Sequence, residues 1–119
     1  MYLIVAGTRS FNDYDLVKKE LDSLKSYPEF KYGFTIVSGC AQGADQLGER
    51  YARENNLPIA KFPAEWDKYG KKAGPIRNEK MAKAANACIV FWDGKSRGTK
   101  NMIDNARKYN LNLIIKYIN

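Results

Sequence analysis

Short apolar runs alternate with amphipathic stretches from one end of this chain to the other, and that alternation limits the fold more than any other feature. Tyr2–Ala6, Thr35–Ser38, Pro58–Phe62, Ala87–Trp92 and Leu111–Tyr117 read as strands. Between them, Asp13–Ser26, Ala44–Asn55, Pro75–Ala85 and Thr99–Asn110 read as helices. Val17, Leu21 and Leu24 recur at helical spacing behind an Asn12 or Asp13 cap, and Ala44, Leu47, Gly48 and Tyr51 share one helical face. Strands alternating with helices imply a parallel sheet covered on both faces and built from right-handed crossovers. The expectation is an α/β fold of three layers, with a five-stranded parallel sheet of order 3-2-1-4-5 and helices on both faces. Gly7, Gly39 and Gly98 should then meet at one edge, because such sheets bind ligands at the carboxyl ends of their strands. At 119 residues, without a linker or low-complexity tract, residues 1–119 are expected to form one domain.

What the chain lacks narrows its chemistry. It contains no histidine, which excludes Ser-His-Asp and Cys-His catalysis and any histidine-ligated metal. Its two cysteines, Cys40 and Cys88, make neither a disulfide framework nor a zinc site, and no metal or cofactor is expected. No apolar run approaches the ~20 residues of a membrane span, and Met1–Ala6 has no basic leader, so the expected setting is cytoplasmic. The net charge is +7, and it is concentrated. Residues 61–83 carry seven basic against three acidic side chains, and residues 93–108 carry five against two. Such windows suit an anionic partner, although solvated helix faces account for many of the lysines.

Three glycine-containing loops follow strands: Gly7-Thr8-Arg9-Ser10-Phe11, Gly39-Cys40-Ala41-Gln42-Gly43-Ala44-Asp45 and Asp93-Gly94-Lys95-Ser96-Arg97-Gly98-Thr99. Turns of this kind at helix amino ends can aim backbone N–H groups at an anion. None is a P-loop, since Ala44-Asp45 and Thr99-Lys100 stand where a lysine and hydroxyl pair is required, and there is no G-x-G-x-x-G. Pro63–Gly74 is too long for an ordinary strand-to-helix connection, and long connections are often lids or binding loops.

Val5–Phe11, Ser38–Asp45, Gly74-Pro75-Ile76-Arg77-Asn78-Glu79-Lys80-Met81 and Arg97-Gly98-Thr99, in this order, resemble the YspA-like family of the SLOG superfamily. That superfamily also holds the Lonely Guy phosphoribohydrolases, the DNA-processing proteins and sensor domains for ADP-ribose-derived signals. The resemblance implies a Rossmann-like sheet with a nucleotide or nucleotide-derived ligand over the glycine loops. It also implies an anion-binding role for Arg77. Lonely Guy enzymes carry a catalytic glutamate in the motif that aligns with Gly98-Thr99, but Met102 stands at that position here. A thioether is neither acid nor base, so whether this chain is an enzyme is left open.

The candidate ligand-binding residues are Gly7, Thr8, Arg9, Gly39, Gly43, Asp45, Arg77, Asn78, Gly98 and Thr99, with Trp66 and Tyr69 as a lid. Each has an ordinary alternative. Arg77 could form a surface salt bridge, Asn78 or Thr99 could simply cap a helix, and Asp45 suits a helix's first turn without any ligand. Arg9 belongs to no amphipathic pattern and points to phosphate. Trp66 is expected to pack the long loop down, Tyr69 either packs or stacks on a base, Cys40 fills a turn and Cys88 lies in the core. Three functions are ranked. First comes capture of a nucleotide-derived small molecule, ADP-ribose-like or a cyclic nucleotide, as sensor or sequestering protein. Second is hydrolysis of an N-glycosidic or phosphate bond with Asp45, Glu79 or Asp93 as acid or base. Third is nucleic-acid binding, and a homo-oligomer is compatible with all three.

Overall fold

The computed structural model describes residues 1–118. The sheet has the order β3-β2-β1-β4-β5, with every pairing parallel. Its strands are β1 (Tyr2–Gly7), β2 (Thr35–Ser38), β3 (Ile59–Lys61), β4 (Ala87–Trp92) and β5 (Asn112–Tyr117). The helices are α1 (Tyr14–Leu24), α2 (Ala44–Glu54), a single-turn α3 (Trp66–Tyr69), α4 (Ala73–Ala84) and α5 (Arg97–Lys108).

Successive side chains of a strand point to opposite faces, and β1 shows the consequence. Leu3 and Val5 enter one apolar cluster with Val17 and Leu21 of α1 and Tyr51 of α2, all at most 1% exposed. Ile4 and Ala6 enter the other with Met81 of α4 and Met102 and Ile103 of α5. Each fully buried side chain of this size contributes about 1.5–3 kcal/mol. Gly48 lets α2 lie against β1, because a Cβ there would stand 2.7 Å from that of Val5.

Capping explains several boundaries. The Asp13 carboxylate accepts from the Leu16 N–H at 3.1 Å and starts α1. α2 and α5 end alike, on Asn56 and Asn110 in the left-handed region. The following Leu57 and Leu111 donate back to Ala52 and Ala106 at 2.8 and 2.9 Å, closing both helices and launching β3 and β5.

Two helices begin earlier than the sequence suggests. α4 opens at Ala73, so Pro75 is its third residue, still in the turn where a missing N–H costs nothing. Arg77 is therefore the fifth residue and not in the first turn. α5 opens at Arg97, so Thr99 is buried in the helix and Ser96 takes the cap position. The 63–74 segment holds α3 and a 3-10 turn at Gly70–Lys72, and a second 3-10 turn at Pro28–Phe30 follows α1. No helix among the described residues is long and apolar enough to cross a membrane.

Candidate functional site

α1 and α2 cover one face of the sheet and α4 and α5 the other, so the chain reverses its winding between β1 and β4. Their carboxyl ends form the switch point at which such sheets open a crevice. Thr8 binds the two loops there. Its N–H donates to Phe91 O at 2.9 Å, and its Oγ1 accepts from the Asp93 N–H at 3.1 Å and the Ser96 hydroxyl at 3.2 Å. Asp93 Oδ1 accepts from the N–H groups of Lys95 and Ser96, both at 2.8 Å, and these bonds hold its carboxyl below the usual range. With the Ser96 hydroxyl drawn to Thr8, no side chain among the described residues caps α5, and its first N–H groups stay available.

The second loop is held by two carboxylates one turn apart on α2. Glu49 Oε2 accepts from the buried Ser38 hydroxyl at 2.5 Å, and Ser38 Oγ accepts from the Cys40 N–H at 3.1 Å. Asp45, 5% exposed, accepts from the Ala41 N–H at 3.2 Å. Burial pushes its carboxyl up to about 6, against the Ala41 amide and the Arg77 guanidinium, which pull it down. Arg77 reaches from α4 over the tip of β2. Its Nη1 donates to Gly39 O and its Nε to Asn78 Oδ1 at 2.9 Å, while Nη2 has no hydrogen bond among the described residues. Burial lowers the guanidinium pKa, and Asp45 opposes that shift. Glycine at 39 makes room for this approach, since a Cβ would stand 2.7 Å from Arg77 Nη1 and 2.8 Å from Asp45 Oδ2 and would displace both side-chain ends. Gly43, at φ 81°, brings the second loop under the first, where a Cβ would collide with the carbonyls of Thr8 and Arg9.

Above this platform lies a crevice of about 670 Å³. It brings together Gly7, Thr8, Arg9, Asp45, Arg77, Asn78, Gly98 and Thr99 of the sequence candidates, with Trp66 on its wall. Gly39 and Gly43 do not line it; they lie beneath Arg77 and beneath the first loop as supports. Tyr69 does not line it either, and faces a smaller pocket with Lys61, Phe62 and Lys80. Trp66 is not packed down as expected. It is 51% exposed and stands on the crevice wall, its Cη2 within van der Waals reach (3.5 Å) of where a Gly74 Cβ would be. Asn78 is a brace as well as a wall: its Nδ2 donates to Gly98 O at 3.2 Å and Asn101 Oδ1 at 3.0 Å, tying α4 to α5.

Glu79, a candidate acid or base, is not at the crevice. Its Oε2 accepts from Lys108 Nζ at 3.0 Å and the Tyr109 hydroxyl at 2.8 Å, toward the far end of α5. Met102 is 1% exposed and lies in the crevice floor. Cys40 sits in the left-handed region at φ 64°, and burial, then the nearby Glu49, push its thiol up, the opposite of an activated nucleophile. Sequence reasoning missed Ser38, Glu49, Ser96 and Asn101. For Glu49 a signal existed in its i,i+4 spacing from Asp45, on the face that carries Ala44 and Gly48.

A doubly wound parallel sheet with glycine loops and an arginine at its switch point defines a Rossmann-like protein. The chain belongs to the YAcAr family, described as the YspA, cpYpsA-related SLOG family, whose model matches residues 1–69. It is 34% identical over 119 residues to the gene 61 protein of Mycobacterium phage D29, covering 94% of this chain and 93% of that one. Among solved structures it is similar to DNA processing protein A (DprA) of Streptococcus pneumoniae, with a TM-score of 0.75 and 18% identity over 96% of this chain. The DprA of Helicobacter pylori, solved for its single-stranded DNA binding mode, matches with a TM-score of 0.69 and 19% identity over 97% of this chain. The chain spans 49% and 64% of those two proteins, and the likeness is one of fold.

Proposed function

We propose that the crevice binds a nucleotide unit, its phosphate between Arg77, Arg9 and the uncapped amino end of α5 and its base against Trp66. The observation that carries this reading is the convergence of those four features on one crevice of about 670 Å³. Uncapped N–H groups and a guanidinium with a free Nη2 suit a phosphate, and a half-exposed indole suits a base. A nucleotide can arrive free or as one residue of a strand. We place the strand first, reversing the order that the sequence alone suggests. Each of the two basic windows, 61–83 and 93–108, contributes an arginine to the crevice lining, Arg77 and Arg97, and the H. pylori neighbour is described by its single-stranded DNA binding. The free ligand, ADP-ribose-like or cyclic, is the second reading, favoured by a volume inside the range of small-molecule pockets.

Fluorescence anisotropy with a labelled single-stranded oligonucleotide, repeated across salt concentrations, tests the first reading, and thermal shift with a nucleotide panel tests the second. Strand binding should weaken steeply with salt, as counterion release requires. A free nucleotide at 100 times its Kd should add about 2.7 kcal/mol of stability. Failure of both probes overturns the nucleotide reading altogether.

A further inference from the structure

Arg77 belongs to two cavities. On one side is the crevice walled by Trp66; on the other is a pocket of about 240 Å³ with Tyr69 on its wall and Lys61 and Lys80 at its rim. Both rings rise from α3, three residues apart, and both cavities rest on the first two turns of α4. Two lysines stand over the second ring, Lys68 Nζ at 5.1 Å and Lys80 Nζ at 6.0 Å from its centroid, cations that an incoming base would displace toward its phosphate. Glu65, which meets Lys80 at 3.8 Å, is the one acidic side chain on that pocket's wall among the described residues. The order along the surface is therefore aromatic ring, guanidinium, aromatic ring with cations.

That order matches two nucleosides joined through phosphate, because bases stack on rings while the linkage needs a fixed cation between them. Resting on the reading of the crevice as a nucleotide site, we infer that the Tyr69 pocket is a second nucleoside subsite and that Arg77 holds the bridging phosphate. The ligand class is then a pair of nucleoside-type units linked by phosphate, supplied either by a single strand or by a free dinucleotide-type molecule. The smaller volume of the second pocket suits a base or sugar rather than a whole nucleotide.

Titration calorimetry with AMP, the dinucleotide pdApdA, ADP-ribose and a short oligodeoxyadenylate separates the possibilities. In the unaltered protein pdApdA should bind at least about fivefold more tightly than AMP, the low end of what one stacked base contributes. Tyr69→Ala should abolish that advantage and leave AMP binding as it was, while Tyr69→Phe, which keeps the ring, should retain it. Melting curves of both variants establish that each is folded. With the pdApdA gain in place, a Tyr69-dependent gain for the oligodeoxyadenylate but not for ADP-ribose identifies the strand as the source, and one for ADP-ribose but not for the oligodeoxyadenylate identifies a free ligand. If the ratio of pdApdA to AMP affinity survives Tyr69→Ala, the second subsite is overturned and the crevice reading stands. If no probe binds, both are overturned.

Discussion

The platform beneath the crevice and the arm beside it are built on opposite principles. In the platform, Thr8, Asp93, Ser96, Asp45 and Arg77 close a mesh of hydrogen bonds among loops that are up to 88 positions apart in sequence. Residues 63–72 have little of this. α3 buries none of its residues, and the arm's side-chain contacts with α4 are exposed ones: the Lys80–Glu65 pair at 3.8 Å, Lys80 over the Tyr69 ring and the edge of Trp66 near Gly74. Exposed pairs of that kind contribute about 0–1 kcal/mol. The positions proposed to hold a phosphate thus belong to a hydrogen-bonded mesh, whereas the aromatic side chains proposed to meet bases sit on a segment with few buried contacts. Substitutions in the platform should therefore be read in stability, and those in the arm in binding.

The largest effect should come from Gly43→Ala. At φ 81° and ψ −128° the position suits only glycine, and the added Cβ would strike two carbonyls of the first loop. Strain alone costs about 1–3 kcal/mol, and the collision brings the expected loss to about 3–4 kcal/mol by urea unfolding. A loss below about 1 kcal/mol would mean that the two loops are not locked together.

Asp45 tests the platform from the side of charge. Its carboxyl is raised from 3.8 to about 6, so the folded state holds the proton more tightly than the unfolded chain. The sign follows: its contribution to stability is greatest below about pH 4, falls as pH rises toward 6, and is level above that. The swing is about 3 kcal/mol. Asp45→Asn should gain on the unaltered protein by up to that amount between pH 4 and pH 6, followed by urea unfolding at each pH. A parallel pH dependence in the two proteins would place the carboxylate in water instead. A buried charge kept at this cost beside Arg77 is the kind of local inconsistency that functional sites tolerate.

The same contrast governs how much the sequence could disclose. All five strands and the glycine loops were legible because short apolar runs and loop glycines are local signals, and the strand order followed from the alternation of strands with helices. The starts of α4 and α5 were not, since Pro75 is acceptable at the third position as well as the first and Gly98 is tolerated one residue inside α5. Thr8 and Asn78 line the crevice, but their bracing hydrogen bonds to Asp93, Gly98 and Asn101 were not legible, since no local pattern announces partners so far along the chain. Glu79 was drawn away from the crevice by Lys108 and Tyr109 on a neighbouring helix. Trp66 fell the other way, because a tryptophan in a loop ordinarily packs, whereas this one lies on a single-turn helix that buries none of its residues.

Arg77 sits where platform and crevice meet, so its removal should register in both measurements. From the sequence, Arg77 near the start of a helix opposes the helix dipole, which suggests a residue kept for an anion and not for folding. The structure corrects the second half of that expectation, because Nη1 satisfies Gly39 O and the cation stands beside Asp45. Arg77→Ala leaves a buried carbonyl unpaired and a carboxylate without its countercharge, so about 1–3 kcal/mol of stability should be lost. Arg77→Lys should restore part of it, an ammonium being unable to make the forked contact with Gly39 and Asn78 together. Nucleotide affinity should fall in both variants. An alanine variant as stable as its parent would show that the guanidinium does not hold the β2 tip.

The smallest effect on folding should come from Trp66→Ala, and it discriminates best between the two regions. The ring is 51% exposed and α3 buries nothing, so truncation removes little apolar surface from the core. Unfolding free energy should change by no more than about 0.5 kcal/mol, as for other surface substitutions. Binding should respond differently, because a base stacked on an aromatic ring contributes about 1–3 kcal/mol. Trp66→Phe, which keeps a smaller stacking face, should fall between the two. Urea unfolding and oligonucleotide anisotropy on the same preparations give both numbers. A variant that loses stability but binds normally would make Trp66 part of the scaffold, and the distinction between a rigid platform and an adaptable arm would fail at its most exposed residue.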